Sequence, residues 1–242
     1  TMTEMVDNAG RIADACLTKD GKQLPLIADA DTGYGGPLNV RRTIQAYERA
    51  GVAGVHIEDQ SWPKRCGHLA GKAVIPTEDM CMHIRAACDA RHDDDFVVIA
   101  RTDAIAVEGF QAGLDRAAAY AEAGADVLFV EAMTSEEQLR KACADLDKPL
   151  LYNMATSGKT PYLSAQEMQD MGFAACIYPG VVLTTAIPVV QQMLRNLRET
   201  GDIKSIMNQN TTFQEFFDLL GMDQVKELEN RYVVDESRRA GY

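Results

Sequence analysis

At 242 residues and 46% hydrophobic, the chain can bury one sizeable core, and α/β barrels reach this length without splitting. A formal charge of −12 argues against nucleic acid as a partner, because affinity for a phosphate backbone comes from clustered Lys and Arg. No apolar run approaches the length of a membrane span, so no membrane association is expected.

The start, Thr-Met-Thr-Glu-Met, reads as the opening of a helix over 2–17, with no apolar signal region. A strand–loop–helix pattern then repeats. Short runs rich in Val, Ile and Leu that end abruptly in polar residues predict strands at 25–31, 53–59, 96–103, 126–131, 149–153 and 174–179. Helical periodicity fills the intervals at 38–50, 77–91, 110–123, 135–145, 164–171 and 182–199. Three helices close on Ala50-Gly51, Ala123-Gly124 and Met171-Gly172, where glycine supplies a left-handed cap. After 200 the strand pattern stops, leaving helical stretches near 211–220 and 223–239. Aromatics at 7% suit helices packed on a parallel sheet better than a β-sandwich.

No GxGxxG follows an early strand, so a dinucleotide-binding half has no support. Five strands finish in charged or amide groups: Asp29/Asp31, Glu58, Arg101/Asp103, Glu131 and Asn153. A (β/α)8 barrel gathers all its strand ends on one face, whereas an open sheet would spread them along an edge. The expected fold is therefore a TIM-type barrel over 1–200 with a helical extension over 201–242. Only six strands are visible and such a barrel needs eight, so its first two strands are expected to lie outside this chain.

Two carboxylates at i, i+2, Asp29 and Asp31, leave a buried strand pointing the same way, and Gly33 and Gly35 let the next loop turn sharply. A helix cap or turn would explain one such aspartate, but not two beside Glu58 and Asp59. Metal binding through oxygen is the better reading, and oxygen donors suit Mg²⁺, which keeps several of its waters. The loop after Glu58, from about Gln60 to Lys72, is long for its type and carries Lys64-Arg65-Cys66-Gly67-His68. A thiol flanked by Lys64, Arg65 and His68 is a usable acid or base, and Gly67 and Gly71 would let the loop close. The other cysteines, Cys16, Cys81, Cys88, Cys143 and Cys176, sit in apolar or helical settings. With no CxxC and no Cys/His cluster, reduced thiols in a cytosol-like compartment are expected. A mitochondrial or peroxisomal address stays open, since the N-terminus is expected to lie elsewhere.

Arg101 can grip a carboxylate bidentately or form a structural ion pair with Asp103 or Glu131, and both can hold at once. Glu131 and Asn153 are placed as substrate contacts or as braces for their neighbours. His56 reads as packed within its strand, His83 and His92 as surface helix residues, and Tyr34 and Trp62 as walls of a pocket.

At 29–36 (DADTGYGG), 56–59, 64–68 (KRCGH), 101–104 and 130–132, the sequence resembles the isocitrate lyase/phosphoenolpyruvate mutase superfamily, and the KRCGH element resembles its lyase branch. The resemblance implies that Asp29 binds Mg²⁺ (or Mn²⁺ in its place) directly while Asp31 and Glu58 act through its waters. It implies that Arg101, Glu131 and Asn153 contact substrate carboxylate, with Gly67 and His68 beside them, and that Lys64 and His68 support Cys66. It also implies a homotetramer exchanging C-terminal helices between subunits. The Ser-Gly-Gly-type loop and Gly-x-Pro-Asp segment of the family are absent ahead of the first helix, in line with the strand count.

The implied reaction is cleavage of a 2-hydroxy di- or tricarboxylate, of alkylmalate or 2-methylisocitrate type, to a 2-oxo acid such as pyruvate and a carboxylic acid, with Cys66 protonating the carbanion. A base among the metal aspartates and Tyr34 is expected. Ala155 and Thr156 stand where methylisocitrate lyases hold an extra carboxylate, which favours a dicarboxylate. Pro179 replaces the Ser of oxaloacetate hydrolases, arguing against that alternative. A non-catalytic scaffolding homologue is the remaining alternative, opposed by the retention of every polar group named above.

Overall fold

The structure is a computed structural model that describes residues 1–18, 20–66, 71–155, 160–204, 207 and 211–232. The chain divides into two compact units, Thr1–Val181 and Val182–Tyr242.

In the first unit the elements follow as α1 (Met2–Ala15), β1 (Ile27–Asp29), α2 (Pro37–Arg49), β2 (Gly54–Glu58), α3 (Thr77–Cys88), β3 (Val97–Thr102), α4 (Ile105–Glu108), α5 (Phe110–Glu122), β4 (Val127–Val130), α6 (Glu136–Asp145), β5 (Leu151–Asn153), α7 (Ala165–Met171) and β6 (Ala175–Ile177). All six expected strands form, each shorter than its apolar run because the flanking residues turn out of the ladder. The single turn α4 was not expected, since four residues are too few to show a 3.6-residue period.

Among the described residues every ladder between these strands is parallel. Strands β1 to β4 form one sheet in chain order, β5 pairs with β6, and a parallel bridge from Leu128 to Leu150 joins the two sets. An unreversed order means that each crossover helix passes the same way, as in a barrel, with no switch point like that of an open doubly wound sheet. Among the described residues β1 and β6 do not pair with each other, so these six strands do not close a ring.

Strand alternation sorts the side chains onto two faces. Val55, Ile57, Val98, Ala100, Leu128 and Val130 face the helices and pack with Ile44, Tyr47, Met80, Ile84, Leu114, Tyr120 and Leu139 in the main core. Burying each of the larger aliphatic side chains contributes about 1.5–3 kcal/mol. The opposite face holds a second cluster, Ile99, Phe129 and Leu151, with Val97, Val127 and Ile177 around it. Asp29, His56, Glu58 and Arg101 share this second face, because Asp29 is in register with His56, Glu58 with Arg101, and Arg101 with Phe129.

Local chemistry sets the helix ends. Thr1 with Glu4 and Ser164 with Glu167 form capping boxes on α1 and α7, and Ser135 caps α6. Gly172 ends α7 at φ 107°, the left-handed cap expected of Met171-Gly172.

The second unit contains α8 (Val181–Thr200, starting at the boundary and carrying Pro188), α9 (Phe213–Leu219) and α10 (Met222–Tyr232). Thr212 and Glu215 form a capping box on α9, and Phe213 meets Phe217 edge to face at 4.6 Å. The part of the expected last helix beyond 232 lies outside the described residues. Among the described residues no helix is long and apolar enough to cross a membrane.

Candidate active site

The C-terminal ends of β1 to β5 bring their polar groups together above the Ile99–Phe129–Leu151 cluster. Asp29 and Asp31 meet there in a way that strand alternation alone does not provide. Asp31 has left β1 and adopts φ 56°, and its N–H donates to Asp29 Oδ1 at 2.8 Å. Among the described residues Tyr34 (φ 61°) and Ala132 (φ 69°) are the other non-glycine residues with left-handed backbone, and all three follow strand ends of the mouth. Such strain persists only where the surroundings enforce it. At Gly33 (φ 84°) a Cβ would lie 2.6 Å from Val40 Cγ2, so the turn needs glycine.

Lys64 reaches into the carboxylates, with Nζ 3.5 Å from Asp31 Oδ1, 3.8 Å from Glu58 Oε1 and 4.0 Å from Asp29 Oδ2. Burial alone would depress its pKa, but Asp29, Glu58 and Asp31 outweigh that and raise it, so the ammonium stays charged. Asp31 Oδ1 and both Glu58 oxygens are buried without a hydrogen bond. Burial pushes Glu58 up to about 7 despite the pull of Arg101 and Lys64. His56 lies beneath, its Nδ1 3.8 Å from Asp29 Oδ1 and its ring edge-on to Phe129. Burial lowers its pKa and keeps it neutral, in line with a packed strand residue.

Arg101 occupies the centre of the next strand end. Its Nε and Nη2 donate to Asp103 at 2.9 and 3.2 Å, Nη1 stands 3.2 Å from Glu58 Oε2, and Nη2 lies 3.8 Å from Glu131. Asn153 Nδ2 donates to Glu131 Oε2 at 2.9 Å, while Asn153 Oδ1 is buried without a hydrogen bond. The ion pair with Asp103 is therefore present, and Glu131 braces Asn153 as well as Arg101. Two further participants play parts that the sequence pattern does not show, one of them Asp59, which the pattern groups with the metal carboxylates. Lys72 Nζ bonds Asp103 Oδ1 at 2.9 Å with its side chain only 2% exposed. Buried Asp59 accepts from Thr102 Oγ1, Tyr120 OH and the Asp103 N–H at 2.7, 2.7 and 2.9 Å, which fixes the backbone under Arg101. Only the run of polar residues in 101–103 hinted at such a network.

The loop after β2 has a closed neck. Ser61 N–H donates to Ala73 O, Gln60 pairs with Val74 in an antiparallel bridge, and Ile75 N–H donates to Asp59 O. Gln60 also clasps Arg65 through two hydrogen bonds of 2.8 and 2.9 Å. Cys66 is exposed on this loop, and Gly67 and His68 lie outside the described residues. Of the other cysteines, burial pushes the thiols of Cys81, Cys88, Cys143 and Cys176 upward. Tyr34 and Trp62 do wall a cavity of about 840 Å³, which Asp31 and Gln60 also line. Burial and the Tyr47 hydroxyl 3.3 Å away raise the Tyr34 pKa strongly, so its phenol stays neutral and is ill suited to act as a base. His83 differs from expectation: it is half-buried on the same cavity, with Nδ1 unpartnered, because α3 packs against this wall. His92 is exposed, as expected, but it lies in the turn between α3 and β3 and not on a helix.

The donor set fits a hard divalent cation. Asp29, Asp31 and Glu58 offer oxygen only, three of their oxygens lack hydrogen bonds, and a cationic Lys64 already sits among them. Among the described residues, the ion pairs linking this cluster join five carboxylates (Asp29, Asp31, Glu58, Asp103, Glu131) to three cations (Lys64, Lys72, Arg101), an excess of negative charge. No three Asp, Glu, His or Cys side chains among the described residues form a ready-made metal cage. Oxygen-only donors suit Mg²⁺, which takes one or two carboxylates directly and keeps its waters.

Known proteins resemble the chain over most of its length. The phosphoenolpyruvate phosphomutase family matches residues 1–198. The chain is 39% identical over 232 residues to a 2,3-dimethylmalate lyase of Eubacterium barkeri, covering 96% of this chain and 78% of that protein. It is 45% identical over 199 residues to a 2-methylisocitrate lyase of Aeropyrum pernix, covering 82% of this chain and 64% of the relative. A solved structure of oxaloacetate acetylhydrolase with the inhibitor 3,3-difluorooxalacetate superposes with a TM-score of 0.86 at 39% identity, over 95% of this chain and 76% of that one. The chain therefore belongs to the phosphoenolpyruvate phosphomutase family, within the isocitrate lyase/phosphoenolpyruvate mutase superfamily.

Proposed function

We propose that the protein is a Mg²⁺-dependent carbon–carbon lyase that cleaves a 2-hydroxy di- or tricarboxylate of alkylmalate or 2-methylisocitrate type, releasing a 2-oxo acid such as pyruvate and a second carboxylic acid. The observation that carries this reading is the set of hydrogen-bond-free oxygens of Asp31 and Glu58 beside Asp29, facing a fixed Arg101. Bound there, Mg²⁺ (or Mn²⁺) would polarise the substrate's 2-oxygen and carboxylate as a Lewis acid.

The residues divide the remaining work. Asp29 would hold the ion directly, and Asp31 and Glu58 would act through its waters. Arg101 holds a substrate carboxylate and stabilises the charge that develops on it. Asn153 and Glu131 set the far side of the substrate, with Gly67 and His68 beside them. The substrate hydroxyl gives up its proton, the carbon–carbon bond breaks, and its electron pair remains on the carboxylate-stabilised carbanion. Cys66 donates its thiol proton to that carbon, with Lys64 and His68 supporting the loop. The neutral Tyr34 leaves a carboxylate of the cluster as the better base. The same reading takes 1–200 as barrel and 201–242 as extension, in a homotetramer whose subunits exchange the C-terminal helices.

Similarity to an oxaloacetate acetylhydrolase supports a second reading, hydrolysis of oxaloacetate, against which Pro179 stands. Both are tested by incubating the protein with Mg²⁺ and a panel of alkylmalates, 2-methylisocitrate, isocitrate and oxaloacetate. Release of pyruvate or glyoxylate from a 2-hydroxy acid, abolished by EDTA, is expected. Oxalate and acetate from oxaloacetate alone would favour the second reading, and no turnover of any member would defeat both.

A further inference from the structure

The proposed reaction uses Asp29, Asp31, Glu58, Arg101 and the Cys66 loop, but it gives no part to Lys72, a buried cation at the end of that loop. Lys72 enters from just inside the Ser61–Ala73 neck, and its side chain is 2% exposed against a fully buried Asp103. Asp103 is held from behind, its N–H bonded to Asp59 Oδ1 at 2.9 Å. Its Oδ1 accepts from both Lys72 and Arg101 Nη2, at 2.9 and 3.2 Å, and its Oδ2 accepts from Arg101 Nε at 2.9 Å. Asp103 therefore covers the Nε edge of the guanidinium and leaves Nη1 turned to Glu58 and the mouth.

We infer that Lys72 is a positioning residue for the substrate-binding arginine: by pairing with Asp103 it fixes the Arg101 fork and keeps that charge available to a substrate carboxylate. Charge and geometry act together here. Arg101 faces three carboxylates, Glu58, Asp103 and Glu131. Were Asp103 not neutralised by Lys72, its whole charge would fall on Arg101 in a buried setting, where pairing is strong. The guanidinium would then be drawn to the protein at the expense of the substrate. Because Lys72 belongs to the loop that carries Lys64 and Cys66, it also ties that loop's base to the arginine opposite. A plain structural pair would hold the loop neck together but would not act through Arg101.

This inference rests on the lyase reading, and a double-mutant cycle separates the two. Oxalate, a small dianion able to chelate a metal, is titrated calorimetrically with Mg²⁺ into wild type, Lys72→Met, Arg101→Lys and the double variant, and KM and kcat are measured on the substrate found. Lys72→Met should weaken oxalate binding roughly 10–100-fold, the usual worth of a residue orienting a site ligand, and raise KM more than it lowers kcat. In the Arg101→Lys background the same change should cost less than about threefold, because the fork it orients is already gone. Lys72→Arg should recover much of the affinity. Unchanged oxalate binding and KM in Lys72→Met, or an equal loss in both backgrounds, would overturn the inference. Should Lys72→Met not fold by circular dichroism, Lys72→Gln, which keeps a hydrogen-bond donor for Asp103 but no charge, takes its place; wild-type oxalate affinity and KM in that protein would overturn the inference equally. A wild-type protein that neither binds oxalate nor turns over the panel would instead defeat the lyase reading.

Discussion

The ends of β1 and β3 carry their charges in opposite conditions. At β3, Arg101, Asp103 and Lys72 are closed on one another within 3.2 Å and scarcely exposed. At β1, the Asp29 side chain is 43% exposed, Asp31 rides a left-handed backbone with an unsatisfied oxygen, and Lys64 approaches no nearer than 3.5 Å. One end is built to hold still. The other holds surplus negative charge and cationic company at longer range. On the proposed reading, the fixed arginine orients the substrate while the under-satisfied aspartates of the same mouth take the cation that activates it.

The contrast can be broken most severely at β1. Asp29→Ala should abolish Mg²⁺-dependent turnover while leaving thermal stability near that of wild type, because the lost side chain is half-exposed and supports little besides the Asp31 turn. Normal turnover in that variant would show that the metal reading has the wrong ligand. Next in size is the loop acid. Cys66→Ser should lower kcat by roughly 10²–10⁴-fold with KM little changed, since the thiol acts in the transition state and does not hold the ground-state substrate. Iodoacetamide should label Cys66 first, because it is exposed while Cys81, Cys88, Cys143 and Cys176 are more buried and have thiols shifted upward. Peptide mapping after partial inactivation reads this directly, and prior labelling of another cysteine would count against the assignment.

At β3 the effect should be smaller and of another kind. Arg101→Lys keeps the charge and the fold but loses the planar fork, so kcat/KM should fall about 10–100-fold, near the worth of one charged hydrogen bond at about 1.5–3 kcal/mol. Smallest is a change away from the mouth. Glu48 accepts the His92 and Asp93 N–H groups at 2.8 and 2.6 Å, tying α2 to the turn before β3. Glu48→Ala should cost about 1–2 kcal/mol in denaturant unfolding and leave turnover intact. A large activity loss there would mean that the mouth depends on the far end of the sheet.

How much of this the sequence shows depends on the range of the interaction. The strands are legible because Val98 and Ile99, like Leu128 and Phe129, sit in uninterrupted apolar runs, and runs buried on both faces read as parallel sheet. The charged residue ending each strand is equally plain, and alternation places Asp29, Glu58 and Arg101 on one face. The left-handed turn that brings Asp31 onto Asp29 is not legible, since no residue type there demands it. Nor is the pairing of Lys72 with Asp103, 31 positions apart, because it exists only once β2 and β3 are in register. Lys64 shows the same limit. The motif places it beside Cys66, yet the folded loop turns its ammonium onto the carboxylates.

The central claim, that the β1 and β2 carboxylates form a divalent-cation site, is tested most directly by titrating Mn²⁺ and following the free ion by electron paramagnetic resonance. Wild-type protein should bind one Mn²⁺ per chain, displaceable by Mg²⁺, and Asp29→Ala with Asp31→Ala should bind none while remaining folded. One Mn²⁺ bound with unchanged affinity by that double variant would contradict the account.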